Sequence, residues 1–347
     1  MKQIIKALYL SVLLLSCKKE KYNYDMNDFR KDLKPYLEKL SKEKSLPFID
    51  TTAREYIRKN ATKEELIKLV NTKVPMLRIF AYRIIINREE ADYFDLLLTH
   101  LDDTAKITHW VYEDLMAVST VSDLMIEKAY AKNGLSHIQK KVLIDKVILE
   151  HSYLETFTWM IASIDPNEKY YNIIKDKARL ETDEYSKQLA ACFALSKFNK
   201  KEDVDFLYKI FKEKLNYYPE LIFRSIEKFP NKKFFPVLEQ YFKTNIQGKL
   251  NRETNISDEV LFFSRAVAAY KNPDALLILN YIEKNNTYIN KPYWPPSNKE
   301  FVYKSILIHN DPIYEKLKEK IKKEYNENEM QKLHTLLFEE YREKKDW

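Results

Sequence analysis

Val74-Pro75-Met76-Leu77-Arg78-Ile79-Phe80-Ala81 is the stretch on which the fold turns. Proline suits the first turn of a helix, where its missing N–H would have had no intrahelical partner. Pro75 is therefore expected to open a helix that continues from Met76 to Asn87. Just upstream, Thr62-Lys63-Glu64-Glu65 has the spacing of a capping box and leads into Leu66, Ile67, Leu69 and Val70. Just downstream, Phe94-Asp95-Leu96-Leu97-Leu98 is a second apolar run, followed by the acid pair Asp102-Asp103. Further out, Leu33, Leu37 and Leu40 fall on one helical face, and segments 89–101, 106–119, 121–132, 136–150 and 153–164 read as helices. Pro166, Pro219, Pro230, Pro273 and Pro312 all lie near the boundaries this reading requires.

Composition points the same way. Only two glycines, Gly134 and Gly248, occur in 347 residues, where about 7% would be ordinary. Tight hairpins rely on glycine for left-handed turn positions, and phosphate-cradling loops need it for close backbone approach. The expected fold class is therefore all-α, and a glycine-rich nucleotide loop is excluded.

In the second half the helices align as repeats. Phe198, Phe229, Tyr270 and Ile308 each have a leucine nine residues later: Leu207, Leu238, Leu279 and Leu317. Seven residues before the same anchors stand Ala191, Ile222, Phe263 and Phe301. The anchors are 31, 41 and 38 residues apart, each followed by a polar break containing Asn or Pro. Each unit reads as helix, short turn, helix, and stacked pairs would bury faces that one pair could not bury alone. A non-repetitive helical bundle is the alternative.

The chain here resembles the HEAT and HEAT-like helical repeats. Pro75, Arg78 three residues on, Ala81 three more on, and the aspartates after Leu98 match hallmarks of that family. Other units lack the arginine or the aspartate, so the match is degenerate over about residues 50–325. The resemblance implies an α-solenoid of stacked antiparallel helix pairs: a right-handed superhelix whose concave face comes from the second helix of each pair. Such surfaces mostly bind other proteins.

The amino-terminal segment carries an address. Two lysines within Met1–Lys6 precede an apolar run from Ala7 to Leu15, with the small residue Ser16 before Cys17. These are the parts of a secretory signal, and the run is far short of the roughly 20 residues a membrane-crossing helix needs. Leu14-Leu15-Ser16-Cys17 resembles the lipobox of bacterial lipoproteins. The resemblance implies cleavage between Ser16 and Cys17, a diacylglyceryl group on the Cys17 thiol, and acylation, as by palmitate, of the new amino terminus. Two or more chains anchor stably, since each buried CH₂ adds roughly 0.8 kcal/mol. Lys18 is not the aspartate that typically retains lipoproteins in the inner membrane, so the outer membrane is the expected address. Cys17-Lys18-Lys19-Glu20 is also similar to a short surface-export signal, although a plain solvated tether has the same composition. The expected organisation is a signal peptide over 1–16, a flexible tether over 17–28, and one helical repeat domain over 29–347.

Few residues suggest chemistry. With residues 1–16 removed, Lys2 and Lys6 leave, and the formal charge falls from +7 to +5 with both signs interspersed. A nucleic-acid binder would more often show a basic stripe. Cys192 then has no second cysteine to pair with, and its setting, Leu189-Ala190-Ala191-Cys192-Phe193-Ala194-Leu195, reads as a buried helix face. The six histidines form no recognisable zinc pattern. Some HEAT-like proteins are alkylpurine DNA glycosylases. Trp110, Trp159, Tyr112 and Arg78 could imitate their concave face, but the export signal and the mixed charge argue against that activity.

The expectation is a non-catalytic protein with no cofactor and no metal, monomeric, binding an unidentified protein or peptide. A narrower alternative is an immunity or inhibitor lipoprotein that captures a toxin in the envelope; a further one is an enzyme whose site forms only in three dimensions. Two segments are candidates for recognition. Tyr288, Tyr293 and Trp294 stand among prolines in residues 285–299, a partner-binding loop or a linker along the solenoid edge. Segment 313–325 reads as a helix rich in Lys and Glu, a solvated face or a basic surface for anionic lipid.

Overall fold

In a computed structural model of the chain, residues 22–43, 45–46, 50–90, 93–112, 115–131, 135–180, 185–249, 257–285, 298–328 and 330–331 are described. Among them the chain is mainly α-helical, interrupted by one β-hairpin. Contacts divide it into two units, Met1–Thr156 and Phe157–Trp347.

In the first unit come α1 (Lys34–Lys42), α2 (Thr51–Asn60), α3 (Lys63–Val70), α4 (Pro75–Asn87) and α5 (Tyr93–Thr99). The hairpin β1 (Lys106–Tyr112) and β2 (Leu115–Thr120) follows, then α6 (Val121–Ala131) and α7 (His137–Glu150). Pro75 stands at the start of α4 as expected, and ten of the helix's 13 residues are buried. A helix apolar on every side belongs in the middle of a domain, and α4 packs against α1, α3, α5, α6 and β1. The Thr62 capping box forms with both reciprocal hydrogen bonds: the Glu65 amide donates to the Thr62 hydroxyl and the Thr62 amide to the Glu65 carboxylate. The described part of the expected tether packs on this unit, for the ring of Tyr22 lies over the Arg78 guanidinium, 4.2 Å from ring centre to Cζ.

The expected helix over 106–119 is overturned. Residues 106–112 and 115–120 pair as antiparallel strands, with Ile107 opposite Ser119 and His109 opposite Ala117. The reason lies in the period. Ile107 and His109 point inward while Lys106 and Trp110 are exposed, an alternation of two, and the strands are rich in β-branched Ile, Thr and Val. Scarcity of glycine misled here because neither residue 113 nor residue 114 between the strands is glycine. Segment 89–101 is also shorter as a helix: Glu89 takes a left-handed conformation (φ 59°), and α5 runs only over Tyr93–Thr99.

The second unit is a succession of helices. The helix α8 (Thr156–Ser163) starts at the boundary, followed by α9 (Glu168–Arg179), α10 (Tyr185–Ser196), α11 (Val204–Lys214), α12 (Pro219–Lys228) and α13 (Phe235–Tyr241). Then come α14 (Ser257–Ala268), α15 (Pro273–Lys284), α16 (Asn298–His309) and α17 (Glu315–Lys322). Alternate helices form a row: α10, α12, α14 and α16 pack one on the next, and α15 and α17 each pack on α16. Ala191, Ile222, Phe263 and Phe301 are buried in that row, and Leu207, Leu238, Leu279 and Leu317 are buried in the helices that follow each break. Segment 313–325 begins as a 3-10 turn (Pro312–Tyr314) and continues as α17, not as one helix.

Tyrosine hydroxyls tie successive helical segments of this unit together. The Tyr314 hydroxyl donates to the Ala268 carbonyl (2.9 Å) and accepts from the Lys271 amide (3.1 Å). Lys271 has φ 52°, a left-handed position that would ordinarily favour glycine. Tyr314 thus fixes a helix end that the sequence builds without one. In the same manner, the Tyr270 hydroxyl donates to the Asn231 carbonyl at 2.7 Å.

Candidate binding surface

The hairpin has two unlike faces. Inward, His109 meets Ser119, Nε2 to Oγ at 2.9 Å, and Ile107 is buried. Burial, with a smaller contribution from Arg83, holds the His109 imidazole below its ordinary range, so it is neutral at pH 7. Outward, Trp110 stands opposite Met116, and Thr108 opposite Val118. Trp110, Met116 and Val118 are 43%, 46% and 52% exposed, and Leu115 at the start of β2 is 53% exposed. Trp110, Met116 and Val118 share the outward face and form a patch, not a scatter of single residues. Such patches mark surfaces that another molecule covers.

The fold holds this face outward for a physical reason. An isolated two-stranded hairpin is marginal in water, so its inner side must be braced. Asp123 on α6 is fully buried, accepting from the Thr120 hydroxyl (2.6 Å) and the Thr156 amide (3.0 Å), which locks the β2–α6 junction. On the other strand, Thr108 bridges to Ser45. Nearby in the chain, α7 carries a second exposed stripe, Ile138 (75%), Val142 (37%) and Leu149 (43%), opposite its buried Leu143, Val147 and Ile148.

The residues singled out in the sequence fall differently. Ser16, Cys17, Tyr288, Tyr293 and Trp294 lie outside the described residues. Trp110 is on the hairpin face, found by exposure; its signal in the sequence was the two-residue alternation. Arg78 is not at a surface at all: its guanidinium is buried against the Asp103 carboxylate, with Nε–Oδ2 2.7 Å and Nη2–Oδ1 2.8 Å. A cation consumed in that way cannot serve a DNA-facing site. Cys192 is fully buried, and burial pushes its thiol well above the ordinary range. The charged segment around α17 is partly tied down, since Lys320 reaches the buried Glu283 at 2.5 Å and Lys322 pairs with Glu319 at 2.8 Å.

Buried carboxylates in the second unit are matched structurally. Asp203 pairs with Lys175 at 2.7 Å and accepts from the Tyr171 hydroxyl at 2.9 Å. Glu227 meets Arg265 at 3.1 Å and His309 at 3.4 Å. Among the described residues no group of three His, Cys, Asp or Glu side chains is placed to hold a metal ion, and no helix is long and apolar enough to cross a membrane. Compared with family models, curated proteins and solved structures, the chain matches none.

Proposed function

We propose that this is a lipid-anchored, non-catalytic scaffold of stacked helix pairs, HEAT-like in architecture, that binds a protein or peptide in the bacterial cell envelope. The observation that carries the binding reading is the exposed apolar face of the hairpin. Covering one large apolar side chain is worth about 1.5–3 kcal/mol, so Trp110, Met116 and Val118 together can supply a contact centre. The row α10–α12–α14–α16, each helix packed on the next, supports stacked repeats in the second unit. The anchor rests on the Leu14-Leu15-Ser16-Cys17 motif, and Tyr288, Tyr293 and Trp294 are a second proposed contact.

A photoreactive residue at Val118, incorporated in the intact cell, tests the reading. It is expected to yield one discrete cross-linked protein, and Met116→Asp should abolish that adduct. Adducts that are absent, or that survive Met116→Asp and appear equally from the exposed Lys59 on α2, would remove the hairpin as the binding face.

A further inference from the structure

A second feature of the first unit lies between two helices. Between α2 and α4 is a cleft of about 280 Å³, lined by Leu46, Arg54, Glu55, Arg58, Phe80, Arg83, Ile84 and Asn87. The sequence spacing explains its walls. Phe80, Arg83, Ile84 and Asn87 occupy one face of α4, at i, i+3, i+4 and i+7, and Arg54 and Arg58 are one turn apart on α2. Leu46, Phe80 and Ile84 are buried and form an apolar floor. Arg54 and Arg58 stand at the rim with about half of each side chain exposed, 48% and 54%.

The charge of this cleft does not close. Three guanidinium groups face one carboxylate, Glu55. That carboxylate is engaged by Arg58, whose Nε and Nη2 donate to the same oxygen at 3.0 and 2.7 Å; Arg54 stands 3.9 Å from the other oxygen. Arg83 is left over. Its Nε is buried with no hydrogen-bond partner, and among the described residues no ion pair reaches its guanidinium. Glu127 acts on it through space only, and burial depresses the Arg83 pKa. Arg83 is half-buried, and a guanidinium whose Nε is buried without an acceptor is costly unless something supplies an anion. Planar or tetrahedral oxyanions fit the guanidinium fork in a bidentate manner.

We propose that the cleft between α2 and α4 is a binding site for a small amphiphilic oxyanion: a carboxylate or phosphate monoester whose head meets Arg83, Arg54 and Arg58 and whose short apolar body lies on Leu46, Phe80 and Ile84. The volume stands near the lower end of small-ligand pockets, which suits a short chain and excludes a large ring system. The site is separate from the hairpin face, and neither depends on the other.

Isothermal titration calorimetry on the full-length chain carrying Cys17→Ala tests this with four probes: hexanoate, hexyl phosphate, inorganic phosphate and hexanol. Hexanoate or hexyl phosphate is expected to bind saturably at one site, at least tenfold more tightly than either hexanol or inorganic phosphate. Which of the two amphiphiles binds more tightly identifies the head group. Arg83→Met should weaken binding at least tenfold. The double variant Arg54→Gln/Arg58→Gln, altered only at the exposed rim, should do the same and decides the matter should Arg83→Met fold poorly. Failure of both amphiphiles to bind overturns the site. So does hexanol binding as tightly as hexanoate, or affinity unchanged in the rim variant.

Discussion

Arg78 and Asp103, 25 residues apart in the chain, meet as a buried, two-pronged ion pair: Nε to Oδ2 at 2.7 Å and Nη2 to Oδ1 at 2.8 Å. The remaining donor Nη1 reaches the Thr72 carbonyl at 3.0 Å, and the Tyr22 ring covers the guanidinium. The pair ties α4 to the segment that leads into the hairpin. Breaking a buried pair by removing one partner typically costs about 3–5 kcal/mol, because the other charge is stranded, whereas replacing both by apolar groups can be near neutral. Asp103→Asn should therefore destabilise the first unit by about that amount, and Arg78→Met/Asp103→Leu by much less. Denaturant unfolding followed by circular dichroism measures both; equal losses in the single and double variants would contradict this account.

Glu227 makes the second unit sensitive to acid. Burial alone would raise its pKa, but His309 and the nearby Arg265 and Lys228 outweigh that and lower it to about 2. The ordinary carboxylate value in the unfolded chain is higher, near 4.5. A depressed folded-state value means stability that is fully present above about pH 4.5 and is lost as pH falls towards about 2, up to roughly 3 kcal/mol. Glu227→Gln should flatten that part of the acid limb relative to the unaltered chain. Parallel stability curves for the two between pH 5 and pH 2 would refute the assignment.

Tyr314→Phe removes a hydroxyl that both donates to Ala268 and accepts from Lys271. Two backbone groups lose their partner, and the Lys271 left-handed turn loses its brace. A loss of about 1–3 kcal/mol is expected, together with faster amide exchange at Lys271. An unchanged exchange rate there would count against the bracing role.

Cys192 should behave as a core atom. In a chain carrying Cys17→Ala it is the remaining thiol, and burial both shields it and disfavours the thiolate. Modification by a thiol reagent is expected only at the rate at which the second unit opens, rising steeply with denaturant. Rapid labelling under native conditions would place the thiol near a surface.

The proposed lipid anchor has a simple test. Cys17→Ala should abolish metabolic labelling with palmitate and release the protein from the membrane fraction. Retention of the variant in that fraction would end the lipoprotein reading.

Helix positions were legible wherever local chemistry acts alone. Pro75 at the opening of α4, the Thr62 capping box and the buried leucines at fixed distance from their anchors need only neighbouring residues. The hairpin left only the two-residue alternation over 106–110 as a signal, because its strands are held by α6 and by each other, and a glycine-poor chain gave no turn signal. The arginine cleft was hidden for a related reason. Arg54, Arg58 and Arg83 are ordinary helix residues in the sequence, and their meeting depends on the packing of α2 beside α4.

Residue order alone therefore determined where most helices start and stop and which faces are apolar, and it supplies the amino-terminal motif on which the proposed lipid anchor rests. Tertiary structure decided which charges find partners. Arg78 is neutralised by a distant aspartate, while Arg83, five residues on along the same helix, is half-buried and its Nε has no hydrogen-bond partner among the described residues. Capping and amphipathicity are fixed by neighbours within a few residues. Pairing a buried charge requires a partner brought from elsewhere in the chain, and only packing brings it.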